Sequence, residues 1–157
     1  MLPPELMSIV SELPSREIQP GDILLEQGHS GTSLFILLSG TVEVERSGTI
    51  IARESTPGAV FGEISALLHI PHTATVRAAT PGKVHVSSDG SAFLRQQPEM
   101  AYHLARILAT RLQRVSGYLA DLKRQYGQRD DNLSMVDEVI EVLLQRQTIR
   151  GPARPSP

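Results

Sequence analysis

Glycine residues recur at short intervals through the first half of the chain and divide it into short segments. They stand at Gly21, Gly28, Gly31, Gly40, Gly48, Gly58 and Gly62. Between them lie runs rich in β-branched and large apolar residues: ILLEQ, SLFILLSG, TVEVER and TIIARE. In TVEVER, Val42 and Val44 fall on one face of a strand and the two glutamates on the other. Many short strands separated by glycine turns predict a β-sandwich or a β-barrel.

The strand pattern continues after Gly62 and is flanked by helical patterns. TATVRAAT and KVHVSS are predicted strands, joined by a turn at Pro81 and Gly82. Before the strands, ELMSIVSEL places its apolar residues at helical spacing, and after them DGSAFLRQQ predicts a short helix. The β-rich part of the chain is therefore expected to carry helices on both sides.

A long helix is predicted from Pro98, which suits a first helical turn. Along it, apolar residues recur at steps of four and three: Ala101, Ala105, Leu108, Leu112, Val115, Leu119, Leu122 and Tyr126. This a/d pattern favours a dimer seam, because a helix packed on its own domain drifts to a period of about 3.6 residues. Packing on the β-domain stays open as the alternative. Leu104, Ile107 and Arg111 lie to one side of the seam and are available to face that domain.

The chain is predicted to be organised in five consecutive parts. These are an N-terminal helix (1–16), a β-domain (17–97), a long dimerisation helix (98–127), a C-terminal helix (128–148) and a disordered tail (149–157). The C-terminal helix is indicated by Ser134 as a cap and by an apolar stripe at Val136, Val139, Ile140, Leu143 and Leu144. The tail RGPARPSP is rich in proline and polar residues. A length of 157 residues suits one domain.

Composition excludes several classes of protein. The net charge of −2 gives no general attraction to nucleic acid or to an anionic membrane. The chain has no cysteine, so disulfides and thiolate metal sites are excluded. Neither a signal peptide nor a membrane-spanning run is recognisable, and we expect no membrane association and a cytoplasmic location.

Two stretches carry a resemblance to a known family. GDILLEQGHSGTSLFILLSGTVEVE and GAVFGEISALLHIPHTATVRAAT resemble the cyclic nucleotide-binding domain of the catabolite activator protein and of protein kinase A regulatory subunits. The resemblance covers about residues 17–127. It implies a mainly β fold with flanking helices: an eight-stranded β-roll of jelly-roll type, followed by a long dimerisation helix and a short C-terminal helix. Bacterial members often dimerise through that long helix, which agrees with the heptad pattern.

The segment from Phe61 to Ala78, here called the cradle segment, would hold the ligand. Gly62 lets the backbone approach a ligand closely, since it has no Cβ. A short helix starts after Glu63, so the N–H groups of Ile64 and Ser65 lack intrahelical acceptors and point toward an anion. By resemblance, Glu63 accepts hydrogen bonds from the ribose 2′-OH of cAMP or cGMP.

One position departs from the family pattern. The family has an arginine that neutralises the cyclic phosphate, and this chain has His72 there, followed by Thr73. Arginine is always charged and binds phosphate bidentately, whereas histidine is only partly charged at neutral pH. Arg77 is not an obvious substitute, because it should point to the opposite face of its strand. Weaker and pH-dependent binding, a different ligand and a vestigial site all remain open.

Further ligand contacts follow from the resemblance. Thr73 could donate its hydroxyl to a phosphate oxygen or a purine edge, and it is equally suited to being a strand residue. On the long helix, Arg111 would be an ion-pair partner of Glu63, and Ser116 would reach the purine, from the same or the other subunit.

Other functional classes fit less well. The segment after the long helix holds one predicted helix, too little for a helix-turn-helix, so DNA binding is not expected. The five histidines, His29, His69, His72, His85 and His103, do not cluster as metal ligands, and no metal is expected. No catalytic motif is present, and an enzyme is not expected. The sequence predicts a cyclic nucleotide sensor acting through an unidentified effector protein. A pseudo-sensor or structural dimerisation module, or a binder of an uncharged nucleoside, is the alternative.

Overall fold

The computed structural model describes residues 2–126 and 138–139. It divides into two compact units, Met1–Leu104 and Ala105–Pro157, and each is described by itself. The first unit is mainly β with flanking helices, and the second contains most of a long helix. The predicted fold class is confirmed.

Eight strands and four helices lie within residues 2–126. They follow in the order α1 (Pro4–Ser11), β1 (Ser15–Ile18), β2 (Ile23–Leu25), β3 (Leu34–Ser39), β4 (Val42–Arg46), β5 (Thr49–Glu54), β6 (Val60–Phe61), α2 (Glu63–Leu68), β7 (Thr75–Ala78), β8 (Gly82–Ser87), α3 (Gly90–Gln96) and α4 (Pro98–Tyr126). Within these residues, none of the helices combines the length and the apolarity needed to cross a membrane.

The strands form two antiparallel sheets of four. One has the order β1-β8-β3-β6 and the other β2-β7-β4-β5. β4 and β5 form a hairpin, in which Glu43 pairs with Arg53 and their side chains make a 2.8 Å salt bridge. The other pairs join strands that are distant in the sequence, as in β1 with β8. This connectivity agrees with the eight-stranded β-roll that the resemblance implies.

The core lies between the apolar faces of the two sheets. Phe35 and Leu37 of one sheet share a buried cluster with Val42 and Val76 of the other. Val42 is fully buried and Val44 packs against the same cluster, so the alternation predicted for TVEVER is confirmed. β3 is buried along four successive residues from Leu34, as its unbroken apolar sequence requires.

The structure also contains two strands that the sequence did not indicate. β1 begins at Ser15, inside the segment predicted as N-terminal helix, because α1 already ends at Ser11. Only Ile18 of β1 is buried, so the strand depends on backbone pairing with β8 rather than on an apolar pattern. β6 has two residues, too few for a recognisable alternation.

The short helix predicted in DGSAFLRQQ and the start of the long helix are present. α3 begins after Asp89, whose side chain accepts a hydrogen bond from the Ala92 N–H and caps the helix. α4 begins at Pro98, as predicted, and is described as far as Tyr126. The C-terminal helix (128–148) and the tail (149–157) lie outside the described residues, except that residues 138–139 are helical.

Two chain reversals pass very close to each other at one end of the roll. A Cβ at Gly82 would lie 2.2 Å from the Ser39 carbonyl oxygen, and one at Gly40 would lie 2.7 Å from the Pro81 carbonyl oxygen. Gly40 also has a φ of +89°, which favours glycine. The turn after β3 and the turn before β8 can therefore meet only because both carry glycine.

Gly82→Ala is expected to lower the free energy of unfolding by about 1–3 kcal/mol, because the added methyl group meets a backbone oxygen that cannot move alone. Gly117→Ala is the matched control: a Cβ there has open space, and alanine in a helix is expected to stabilise by roughly 0.5–1 kcal/mol. Urea denaturation measures both. Equal effects of the two substitutions would contradict the close approach.

Candidate functional site

The second residue of the cradle segment is a glycine that the fold itself requires. Gly62 has φ +90° and is the N-cap of α2. A Cβ at this position would lie 2.3 Å from the Ser33 carbonyl oxygen, in the chain just before β3. The glycine therefore allows β6 to turn directly into α2 against that loop, whether or not a ligand is bound.

Glu63 is the first residue of α2, and it is only 6% exposed. A carboxylate is favoured at this position because a helix N-terminus carries partial positive charge. The first intrahelical backbone bond runs from the Ala66 N–H to the Gly62 carbonyl. The N–H groups of Glu63, Ile64 and Ser65 precede it and have no acceptor within the helix. The site thus combines a buried acidic acceptor with backbone donors.

His72 is held by its backbone against the chain before β3. Its N–H donates to the His29 carbonyl at 2.9 Å, and its carbonyl accepts from the Gly28 N–H at 2.8 Å. These two bonds leave little freedom for residue 72. The glycine at position 28, part of the motif recognised in the sequence, is thereby a direct neighbour of the cradle segment.

The imidazole of His72 lies between α2 and this loop. Its Nδ1 is 2.9 Å from Ser65 Oγ, and Ser65 is 2% exposed. On the other side of the ring, a Cβ at Gly31 would lie 3.6 Å from Nε2, an ordinary van der Waals contact. The side chain that replaces the family arginine is therefore engaged with the helix of the cradle.

The surroundings of His72 disfavour its charged form. Burial lowers the pKa of the His72 imidazole below its usual value of 6.5, and the neighbouring His29 lowers it further. At neutral pH the ring is therefore mainly neutral. It can supply hydrogen-bonding atoms at this position, but not the permanent charge of an arginine.

The remaining predicted residues are placed as follows. Ile64 is 39% exposed, and Thr73 is half-buried just before β7. Arg77 is exposed between buried Val76 and Ala78, in agreement with its expected outward direction. Arg111 is exposed and Ser116 half-exposed on α4, in the second unit. Their predicted ligand contacts stay predictions.

Comparison with known proteins identifies the family. The model of the family described as "Cyclic nucleotide-binding domain" matches residues 15–95, more than half of the chain. The chain belongs to the cyclic nucleotide-binding domain family. The matched range contains both sheets and every residue of the cradle segment, so the resemblance found in the sequence is confirmed.

Similar proteins that carry this domain differ in their other functions. The chain is 33% identical over 115 residues to Acetyltransferase Pat of Mycolicibacterium smegmatis, covering 70% of this chain and 34% of the relative. It is 30% identical over 128 residues to the CRP-like cAMP-activated global transcriptional regulator of Mycobacterium tuberculosis, covering 76% and 56%. The crystal structure of Thermus thermophilus catabolite activator protein superposes with a TM-score of 0.65 at 28% identity, covering 78% and 61%.

These alignments limit what can be transferred to this chain. The chain spans between a third and little more than half of the two curated relatives' length. Since the domain occurs both in a regulator and in an acetyltransferase, the expectation that the chain is not an enzyme stays a prediction. Within residues 2–126 and 138–139, no group of three or more His, Asp or Glu side chains is placed to hold a metal ion.

Sequence reasoning did not find two features of this cyclic nucleotide-binding domain. The sequence indicates a role for the Ser65 backbone N–H but not for its hydroxyl, whose bond to His72 joins a helix to the loop that follows it. His29 is not recognisable in the sequence as a neighbour of His72, yet its carbonyl accepts from the His72 N–H and its charge lowers the pKa of His72. The spacing of the family motif locates residues 28 and 72, but it does not reveal the hydrogen bond between the side chains of Ser65 and His72.

The lowered pKa of His72 makes stability depend on pH. The unfolded chain takes up a proton at this residue more readily than the folded chain, so stability is lost as pH falls from above about 6.5 through the folded-state value. His72→Gln should remove this loss. Urea denaturation of both proteins at several pH values measures it, and identical slopes of stability against pH would contradict the shift.

Proposed function

We propose that this chain senses a cyclic nucleotide, cAMP or cGMP, and passes the signal to a partner protein. The observation that carries the proposal is the buried carboxylate of Glu63 at the start of α2, directly after Gly62 and inside the family match. An ionised carboxylate has several acceptor positions, and a ribose hydroxyl can donate to one of them. One similar regulator is named as cAMP-activated, which supports a cyclic nucleotide as the ligand class.

The proposed ligand lies with its ribose at Glu63 and its cyclic phosphate at the N-terminus of α2. The N–H groups of Ile64 and Ser65 would donate to the phosphate oxygens, with His72 and Thr73 on the strand side. Because His72 is mainly neutral at pH 7, its contribution there would be a hydrogen bond rather than an ion pair. We therefore expect weaker binding than an arginine would provide.

A second candidate is supported by the state of His72. A neutral imidazole that already bonds Ser65 suits an uncharged nucleoside as well as a phosphate. Loss of the charge would also be expected in a domain that has become a structural dimerisation module. Titration calorimetry with cAMP, cGMP and adenosine separates the three: tight binding of a cyclic nucleotide supports the sensor, binding of adenosine alone supports the nucleoside, and no heat supports the structural module.

We propose that the active form is a dimer through α4. Leu112 is 38% and Val115 is 50% exposed in the single chain, although both belong to the heptad seam. Apolar side chains repeated along one face of an exposed helix gain stability when a second helix covers them. The partner that receives the signal would then meet a dimer, and we propose that it contacts the chain between residues 126 and 147.

Glu63→Gln is expected to weaken cyclic nucleotide binding by about 1.5–3 kcal/mol, since the charged acceptor of the ribose hydroxyl becomes neutral. A 2′-deoxy cyclic nucleotide should lose a similar amount on the wild type and almost nothing more on the variant. Calorimetry on the four combinations gives the coupling energy directly.

The matched control for this cycle is Glu17→Gln, which changes an exposed carboxylate on β1 and should leave both affinities unchanged. If the effects of Glu63→Gln and of the 2′-deoxy ligand simply add, Glu63 does not contact the ribose. A large loss with Glu17→Gln would instead indicate a general effect of charge.

Leu119→Glu is expected to give monomers, because it places a charge in the centre of the heptad seam. Gln113→Glu adds the same charge outside the seam and should leave the dimer intact. Light scattering at roughly tens of micromolar protein, a concentration that detects micromolar dissociation constants, distinguishes the two forms. A monomeric wild type, or a dimeric Leu119→Glu protein, would disprove the seam.

A further inference from the structure

The hydrogen bond between Ser65 and His72 has a direction that depends on the charge of the imidazole. We propose that Ser65 couples protonation of His72 to ligand binding: its hydroxyl donates to Nδ1 while the ring is neutral, and turns to the phosphate when the ring is protonated. This inference rests on the proposed function. It assigns to the Ser65 hydroxyl a ligand contact, separate from that of the backbone N–H, and it makes the affinity of the site respond to pH.

In the proposed neutral state the imidazole carries its proton on Nε2, a tautomer that the distance within the pair permits. Nδ1 of His72 lies 2.9 Å from Ser65 Oγ, and Ser65 is 2% exposed. A neutral imidazole has one donor and one acceptor nitrogen, and a free histidine side chain favours the proton on Nε2. Nδ1 is then the acceptor, and the Ser65 hydroxyl donates its single proton in a hydrogen bond to it. In this state the hydroxyl has no proton left for a ligand.

Protonation reverses this bond. Both ring nitrogens of a charged imidazole are donors, so Nδ1–H must point at Ser65 Oγ and the hydroxyl must accept. The hydroxyl keeps its proton and can rotate to donate a hydrogen bond to another acceptor. Ser65 lies on the first turns of α2, where the proposed phosphate oxygens would provide one. One proton taken up from solution therefore adds a positive charge and a hydroxyl donor to the site together.

The charged groups around His72 define where this change occurs. On the chain before β3, His29 acts on His72 and its own side chain lies 3.4 Å from that of Glu26. The other titratable groups on the neighbouring element are Glu63 at the start of α2 and His69 at its C-cap. His29 acts with burial to lower the pKa of His72, so the ligand-free switch operates below the usual imidazole range. A bound phosphate anion favours the charged ring and raises that pKa.

The consequence for binding follows from linkage. Affinity for a cyclic nucleotide should rise as pH falls, from the pKa of His72 in the complex down to its pKa in the free protein, and level off below it. Part of the rise comes from the charge and part from the released hydroxyl. Removing the hydroxyl should therefore reduce the pH dependence rather than lower affinity equally at every pH.

The test measures the Kd for cAMP by calorimetry from about pH 5.5 to about pH 8.5, a range that brackets the usual imidazole pKa. The wild type should gain roughly tenfold or more in affinity toward low pH, the effect of about one unit of pKa change on binding. For Ser65→Ala the gain should be roughly threefold to tenfold smaller, the contribution of one hydrogen bond. Ser65→Thr keeps the hydroxyl and should recover most of the gain.

Two controls separate the role of Ser65 from a purely structural one. His72→Gln should give a flat profile, and adding Ser65→Ala to it should change the profile no further. Nitrogen NMR of the ligand-free wild type, which requires no substitution, should show neutral His72 with its proton on Nε2. A proton on Nδ1 would mean that Ser65 already accepts in the neutral state, and would overturn the proposal.

The outcomes distinguish this inference from the proposed function. If the affinity for cAMP changes with pH equally in the wild type and in Ser65→Ala, the coupling through Ser65 is overturned, whatever the absolute affinities. The proposed sensor function is unaffected by that result. A flat wild-type profile has the same two consequences. If no cyclic nucleotide binds at any pH, the proposed function fails, and the coupling fails with it.

Discussion

The contact between Gly62 and the Ser33 carbonyl is the constraint on which the site depends. With a Cβ only 2.3 Å from that oxygen, no other residue would fit there without movement of the backbone. The contact fixes the point at which β6 ends and α2 begins. Glu63 is therefore buried on the first turn, and Ser65 is directed to the imidazole of His72. The packing of a loop against one glycine thus determines which polar groups the site contains.

The replacement of an arginine by His72 changes how charge is supplied to the site. An arginine would carry its charge under all conditions and would have to be compensated when no ligand is present. A mainly neutral imidazole can instead be satisfied by Ser65. The imidazole thereby has a hydrogen-bonding partner within the domain, whereas an arginine charge would need a counter-charge there.

Much of the fold could be predicted because its signals are local. Glycine turns, the alternation in TVEVER and the run of apolar residues in β3 each indicate a strand without knowledge of its partners. β1 and β6 were not predictable in this way, because β1 buries only Ile18 and β6 has two residues. The site shows the same division: family spacing located Glu63 and His72, whereas the bond from Ser65 to His72 depends on how a helix and a loop pack in three dimensions.

The pairing of β1 with β8 has a consequence for the synthesis of the domain. Ser15 pairs with His85, and the intervening strands form most of both sheets. On the ribosome, β1 emerges early and has no partner until nearly the whole domain has been made. Such distant pairings fold slowly and leave strand edges exposed in the meantime. The polar side chains of β1, which make the strand hard to recognise in the sequence, also disfavour its association with other nascent chains before β8 has been synthesised.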